Sequence, residues 1–115
     1  MDVTRYKLES LHKIRKSVSA LDKRALELKR QEGDHAQEMR ELNLKKSRLL
    51  REYEKNKTDI EKYLAALDCL SARLIELRVI RDYSWIRVAA EIGGGNSDAS
   101  LRKRYWRIVR GLPMR

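Results

Sequence analysis

No proline or glycine occurs between Gly33 and Gly93. Over most of that span the side chains that would face a partner helix recur at alternating spacings of three and four: Met39, Leu42, Lys46, Leu49, Tyr53, Asn56, Ile60, Tyr63, Leu67, Leu70, Leu74 and Leu77. That alternation is a heptad seam. It predicts one continuous helix from about residue 35 to about 81, roughly 70 Å long at 1.5 Å per residue. A helix of that length cannot bury its own apolar stripe, so it requires a partner. Lys46 and Asn56 are the polar members of the seam; such residues cost stability but fix register or oligomeric state.

A shorter seam precedes it, at Leu11, Ile14, Val18, Leu21, Ala25 and Leu28. It predicts a first helix over about residues 3–31, stopped at Gly33-Asp34. Two partners for the long seam follow, and they are compatible. The first helix can fold back through the Gly33-Asp34 turn as an antiparallel hairpin, or the long seam can pair with a second copy of the chain. The first helix reaches at most about 40 Å, so a hairpin leaves the seam beyond about Tyr63 uncovered. Leu50 and Leu64 flank the seam and widen it. A hairpin that also self-associates, as a homodimer or higher homo-oligomer, is the arrangement this pattern favours.

The chain has 115 residues, one proline, five glycines and no phenylalanine. That leaves little room for a sheet-rich fold, and 42% apolar content with clear periodicity argues against disorder. The fold class is all-α: a long helical hairpin or coiled coil followed by a C-terminal helix-turn-helix unit. Residues 1–67 form the oligomerisation region and residues 68–115 the helix-turn-helix region. Mean hydropathy is −0.70, so the core is thin or elongated. Cys69, the single cysteine, permits no internal disulfide and is expected to be a small buried filler. No apolar run approaches a membrane span, and the chain reads as cytoplasmic.

The net charge is +10, which directs a small protein towards a polyanion, nucleic acid by default. Residues 1–83 hold 20 basic and 15 acidic side chains, a mixed solvated surface; residues 84–115 hold 7 basic and 2 acidic ones. Within this basic end, Leu70, Leu74, Leu77 and Ile80 share a helical face. Ser84 is suited to cap the next helix, on which Trp85, Val88, Ala89 and Ile92 share a face. Gly93-Gly94-Gly95 ends that helix, because glycine enters positive φ cheaply. Asn96 and Ser97 are alternative caps for a third helix with an inward stripe of Leu101, Tyr105 and Ile108. With Leu77, these inward residues make a three-helix core.

The order of apolar helix, capped short helix, glycine turn and basic helix is that of a helix-turn-helix DNA-binding unit. The residues expected to meet DNA are Ser84, Arg87, Asn96, Ser97, Asp98, Ser100, Arg102, Lys103, Arg104 and Arg107. Readout falls to the first turns of the third helix, at Asn96, Ser97, Asp98, Ser100 and Lys103. Arg107 serves affinity without choice. Arg102 and Arg104 suit either role. Trp106 lies off the inward stripe, free to cover the first helix, a partner or DNA backbone. The plain alternative is a three-helix bundle with a solvated basic face.

The segment LIELRVIRDYSWIRVAAEIG resembles the helix-turn-helix of sigma factor region 4 and of small phage-encoded transcriptional regulators of the RinA and ArpU type. The matching positions are Leu74, Leu77, Arg78, Ile80, Ser84, Trp85, Val88, Ala89, Ile92 and Gly93, and the resemblance covers roughly residues 66–110. It implies double-stranded DNA as a partner and transcriptional control in a phage or prophage, with RNA polymerase as a further partner. The three-glycine turn is longer than the sigma-type turn.

No catalytic constellation, metal site or cofactor motif is apparent, and an enzyme is not expected. His12 and His35 are far apart and lack zinc-site spacing. The Gly93-Gly94-Gly95 run follows a helix and not a strand, which rules out a dinucleotide loop. Two further classes compete with the DNA-binding regulator. One is a coiled-coil interaction protein, such as an adaptor or polymerase-binding factor. The other is a phage DNA-packaging subunit, whose DNA-binding unit usually comes first in the chain.

Overall fold

Thr4 opens the first helix. Its hydroxyl accepts a hydrogen bond from the Lys7 amide at 3.2 Å, satisfying a free donor of the first turn. In the computed structural model, which describes residues 3–115, helix α1 spans Arg5–Arg30. The chain then reverses over residues 31–35, with Gly33 at φ +107°. The Asp34 carboxylate accepts from the Ala36 amide at 3.0 Å, and α2 follows over Ala36–Leu64. The two pack antiparallel as a hairpin, joined across the seam by Lys7–Asp59 at 2.8 Å and Lys46–Asp22 at 2.8 Å. The fold is all-α, with no strand among the described residues.

Asn56 is a buried polar member of the seam. Its side-chain amide donates to Ser10 Oγ at 2.9 Å, and Ser10 donates to the Lys7 carbonyl at 2.7 Å. A buried amide satisfied by one matching hydroxyl penalises any slipped register. Lys46 instead lies at the seam's edge and forms its ion pair with Asp22 in solvent.

The continuous helix expected to about residue 81 does not form. The α2 helix stops at Leu64, the chain turns over residues 65–68, and α3 begins at Cys69. Neither glycine nor proline marks the break. Asp68 makes it, by accepting from the Ser71 amide at 3.1 Å as an N-cap. The reversal lets the chain fold back on the hairpin. Helix α3 (Cys69–Ile75) runs directly into a π-helical turn at Glu76–Ile80. This short rod carries two apolar faces. Ile75 and Val79 join Val3, which precedes the first helix, Leu8 and Leu11 of that helix, Ile60 of the second, and Val109 of the last in one cluster. Leu74 and Leu77 join Val88 and Leu101 in a second.

This packing removes the reason to leave the seam bare beyond Tyr63. Tyr63, Leu64 and Leu67 pack against the first cluster, and Leu74 and Leu77 are buried in the second. The chain thus covers its own upper seam, and residues 1–67 and 68–115 share a core (residues 1 and 2 lie outside the described residues). Cys69, expected in the interior, is exposed, because the break at Asp68 places it on the first turn of α3. No helix among the described residues is long and apolar enough to cross a membrane.

Candidate nucleic-acid interface

Two further helices complete the base. The rod ends at residues 81–84, where Asp82 adopts φ +56°. Ser84 then caps α4 (Trp85–Ile92), its hydroxyl accepting from the Arg87 amide at 3.3 Å. Gly93, Gly94 and Gly95 turn the chain with φ of +64°, +65° and +79°. Three successive left-handed positions admit glycine and strain any other residue. Ser97, not Asn96, caps α5 (Asp98–Arg110), accepting from the Ser100 amide at 3.1 Å. The Asn96 side chain turns back to donate to the Gly93 carbonyl at 3.0 Å and so stiffens the turn.

The inward face of the unit is an apolar and aromatic stack. Leu74, Leu77, Val88 and Leu101 are buried, with Trp85, Ala89, Ile92 and Tyr105 packed around them. Trp85 meets Tyr105 edge to face at 5.3 Å. The Arg78 guanidinium lies 4.7 Å from the Trp85 ring centre and donates to the Tyr83 carbonyl at 2.9 Å. Burial pushes the Tyr105 hydroxyl above its ordinary pKa, partly offset by Arg78. Ile108, expected in this stack, packs instead against the cluster shared with the first helix, as does the buried Val109. The far end of α5 rests on the hairpin, not on α4.

Two arginines of α1 hold this unit from behind. Arg5 donates to the carbonyls of Val109 and Arg110, both at 2.9 Å, and so caps the C-terminus of α5. Arg15 donates to the carbonyls of Val79 and Ile80, both at 2.7 Å, and caps the π-helical turn. Each cation neutralises a cluster of carbonyls with no intrahelical partner. Arg15 also reaches the Tyr53 hydroxyl at 3.3 Å, while its Nη1 lies 3.4 Å from Asp82. His12 is 3.2 Å from the same carboxylate. These contacts hold the left-handed turn at Asp82.

The outward face of α5 is different. Ala99, Arg102, Lys103, Trp106, Arg107 and Arg110 line one shallow surface, with Asp98 at its start. Trp106 is 49% exposed and is braced edge to face by Tyr105 at 5.4 Å. Arg102 leans towards Asp98 at 3.4 Å. Arg87 lies outside, on α4, its guanidinium stacked 3.8 Å from the Tyr83 ring centre.

Several residues expected at the interface have other work. Arg104 is not on the outward face: it donates to Asp68 at 2.9 Å and to Ser71 Oγ at 3.2 Å, tying α5 to the start of α3. The Asp68 carboxyl is lowered to about 2, mainly by hydrogen bonding from Ser71 and further by Arg104. Ser84 and Ser97 are engaged as caps, and the Ser100 hydroxyl donates to the Ser97 carbonyl at 3.0 Å. The expected set thus divides. Arg102, Lys103 and Arg107 come together; Asn96, Ser97 and Ser100 build the turn beneath them; Arg104 faces away. Sequence reading did not assign Ala99 or Arg110 to this surface, and it left Trp106 without a place. The signal for all three was the spacing 99, 102, 103, 106, 107 and 110, one helical face opposite Leu101, Tyr105 and Ile108. Among the described residues no group of His, Cys, Asp or Glu side chains is placed to hold a metal ion. No protein-family model, curated protein or solved structure matches the chain.

Proposed function

We propose that the chain binds double-stranded DNA through the outward face of α5 and acts as a transcriptional regulator of the phage or prophage type that its helix-turn-helix resembles. One observation carries this reading: Arg102, Lys103, Arg107 and Arg110 surround an exposed Trp106 on the side of α5 that no other helix among the described residues covers. The opposite side is locked down by Leu101, Tyr105, the glycine turn and the Arg104 clasp. A basic helix held rigidly with one face free is the geometry by which helix-turn-helix proteins enter the major groove. Arg87, near the start of α4 and stacked on the Tyr83 ring, is assigned to the phosphate backbone.

Lys103 and Arg102 stand nearest the start of the free face and are assigned to base edges. Arg107 and Arg110 are assigned to phosphates. Trp106 presents an apolar ring between them, suited to a thymine methyl or a deoxyribose. The test is titration of labelled duplexes, one selected from a random pool and one of random sequence, at two salt concentrations. Lys103→Ala lowers preference for the selected duplex by about 1–3 kcal/mol. Arg107→Ala weakens both duplexes alike and reduces the salt slope by about 0.9. If neither substitution changes binding, the α5 reading is abandoned.

The arm of the hairpin supports a second element, pairing of two copies. Leu26 and Leu50 are 53% and 42% exposed, and Ile14, Val18, Leu50 and Tyr53 line an apolar groove between the helices. Sedimentation of the full chain as a monomer at tens of micromolar (about the range of weak coiled-coil pairing) contradicts that element and leaves the α5 reading intact.

A further inference from the structure

Half of the net positive charge belongs to residues 1–64, which hold 17 basic and 12 acidic side chains, and the structure sorts the basic ones of α2 by face. Four carboxylates of the hairpin pair at the seam's edges: Asp22 with Lys46, Asp59 with Lys7, and Glu27 and Glu38 with Arg24. On α2, at 100° per residue, the positions opposite the seam fall within an arc of about 100°. Arg40, Arg48, Arg51, Lys55 and Lys62 lie on this arc and are all exposed. Its other members, Gln37, Leu44, Ser47 and Thr58, are uncharged and also exposed. The other four glutamates of α2 stand beside the arc, Glu41 and Glu52 on one border and Glu54 and Glu61 on the other.

Arg48, Arg51 and Lys55 follow one another at spacings of three and four, where like charges repel and destabilise a helix. Among the described residues none of the three forms an ion pair within the chain; Asp59, the carboxylate one turn beyond Lys55, already bonds Lys7 at 2.8 Å. From Arg40 to Lys62 the line is about 33 Å long at 1.5 Å per residue, close to one turn of B-DNA.

We propose that this face of α2 is a second, sequence-independent contact for DNA phosphates. The occupant follows from the chemistry of the face. A protein partner would need an apolar centre, and Leu44 is the only large apolar side chain here. A membrane entered by amphipathic insertion would need an apolar face on the same side, and that of α2 is turned against α1; binding to anionic headgroups by charge alone is separated from DNA binding by the vesicle arm of the test. A regular row of cations with short polar residues between them suits phosphates, which reward charge without shape. This inference adds to the α5 reading a contact that carries affinity and no choice.

The test compares the full chain with Arg48→Gln, Arg51→Gln, Lys55→Gln made together, and separately with Lys103→Ala and Arg107→Ala. The probe is a random-sequence duplex of about 30 base pairs, near three helical turns. The three glutamines keep helix propensity, and circular dichroism checks the fold. The triple variant is expected to lose about 0.9 of salt slope per lost phosphate contact, each worth about 3.5-fold in affinity across a fourfold rise in salt. Its preference for a selected duplex over the random one is expected to match that of the parent. An unchanged slope overturns the proposal, as does a loss of preference. Retention on anionic lipid vesicles through the same three residues, with the DNA slope unmoved, reassigns the face to a membrane surface. If the triple variant flattens the slope while the α5 variants change nothing, the α2 proposal stands and the α5 reading falls.

Discussion

The base of the molecule and the arm share the two helices of the hairpin, but only the base adds α3, the π-helical turn, α4 and α5 to them. At the base, Leu11, Ile60, Leu74, Ile75, Leu77, Val88 and Leu101 are almost wholly buried. Along residues 17–50, only Leu28 is. Both regions carry the same three-four alternation. The difference lies in what covers the stripe. At the base the returning chain lays α3, the π-helical turn and α5 over the hairpin; along the arm each helix has only the other. A heptad seam therefore sets which residues face a partner and says little about how deeply they are buried. The arm lengthens a molecule whose overall extents are 57 × 30 × 19 Å.

The comparison breaks most visibly under truncation of buried side chains. Leu11→Ala or Ile75→Ala is expected to cost about 2–5 kcal/mol, whereas Leu21→Ala, half-buried on the arm, is expected to cost about 1 kcal/mol. Urea unfolding of the three variants measures this, and equal losses would show that the arm contributes to a common core.

Next in size is the Arg15 cap. Replacing it by methionine keeps the packing of the stem and removes both bonds to the Val79 and Ile80 carbonyls. The expected loss is about 1.5–3 kcal/mol. The same change at Arg24, whose ion pairs with Glu27 and Glu38 lie on the exposed arm, is expected to leave stability nearly unchanged.

A smaller effect concerns pH. The Asp68 carboxyl is held at about 2 against an ordinary 3.8, so the folded state favours its charged form. The stability it contributes is complete above the ordinary value and is lost as pH falls through about 2. Asp68→Asn is expected to remove that part of the acid dependence. Thermal melts of both forms across this window measure it, and identical acid limbs would show that the cap and the Arg104 clasp are not formed in solution.

The limits of sequence reading follow the same division. The hairpin, the Gly33 reversal, the Ser84 cap and the triglycine turn were legible because each has a local signature: a period, a cap or a left-handed glycine. The break at residues 65–68 was not. Ala65 and Ala66 are good helix formers, and only Asp68 hints at a new start. The break is favoured by burial of Ile75, Val79 and Val109 against Leu8 and Leu11, contacts far apart in sequence. For the same reason Arg104 passed as a surface cation and Cys69 as a core residue: the first depends on where Asp68 stands, the second on which turn begins α3. Of the surface of α5, its basic character was legible and its exact tenants were not, because Ser97 and Asn96 were free to serve either the cap or the DNA.

The claim that the outward face of α5 meets DNA is tested most directly by its two indoles. Trp106 stands on that face, and Trp85 is packed behind it against Tyr105. In an amide and indole N–H correlation spectrum recorded while duplex DNA is added, the Trp106 indole should shift together with the amides of Ala99, Arg102, Lys103 and Arg107, while the Trp85 indole stays nearly still. Shifts confined to other residues, or no shift at Trp106 with DNA bound, would contradict the account.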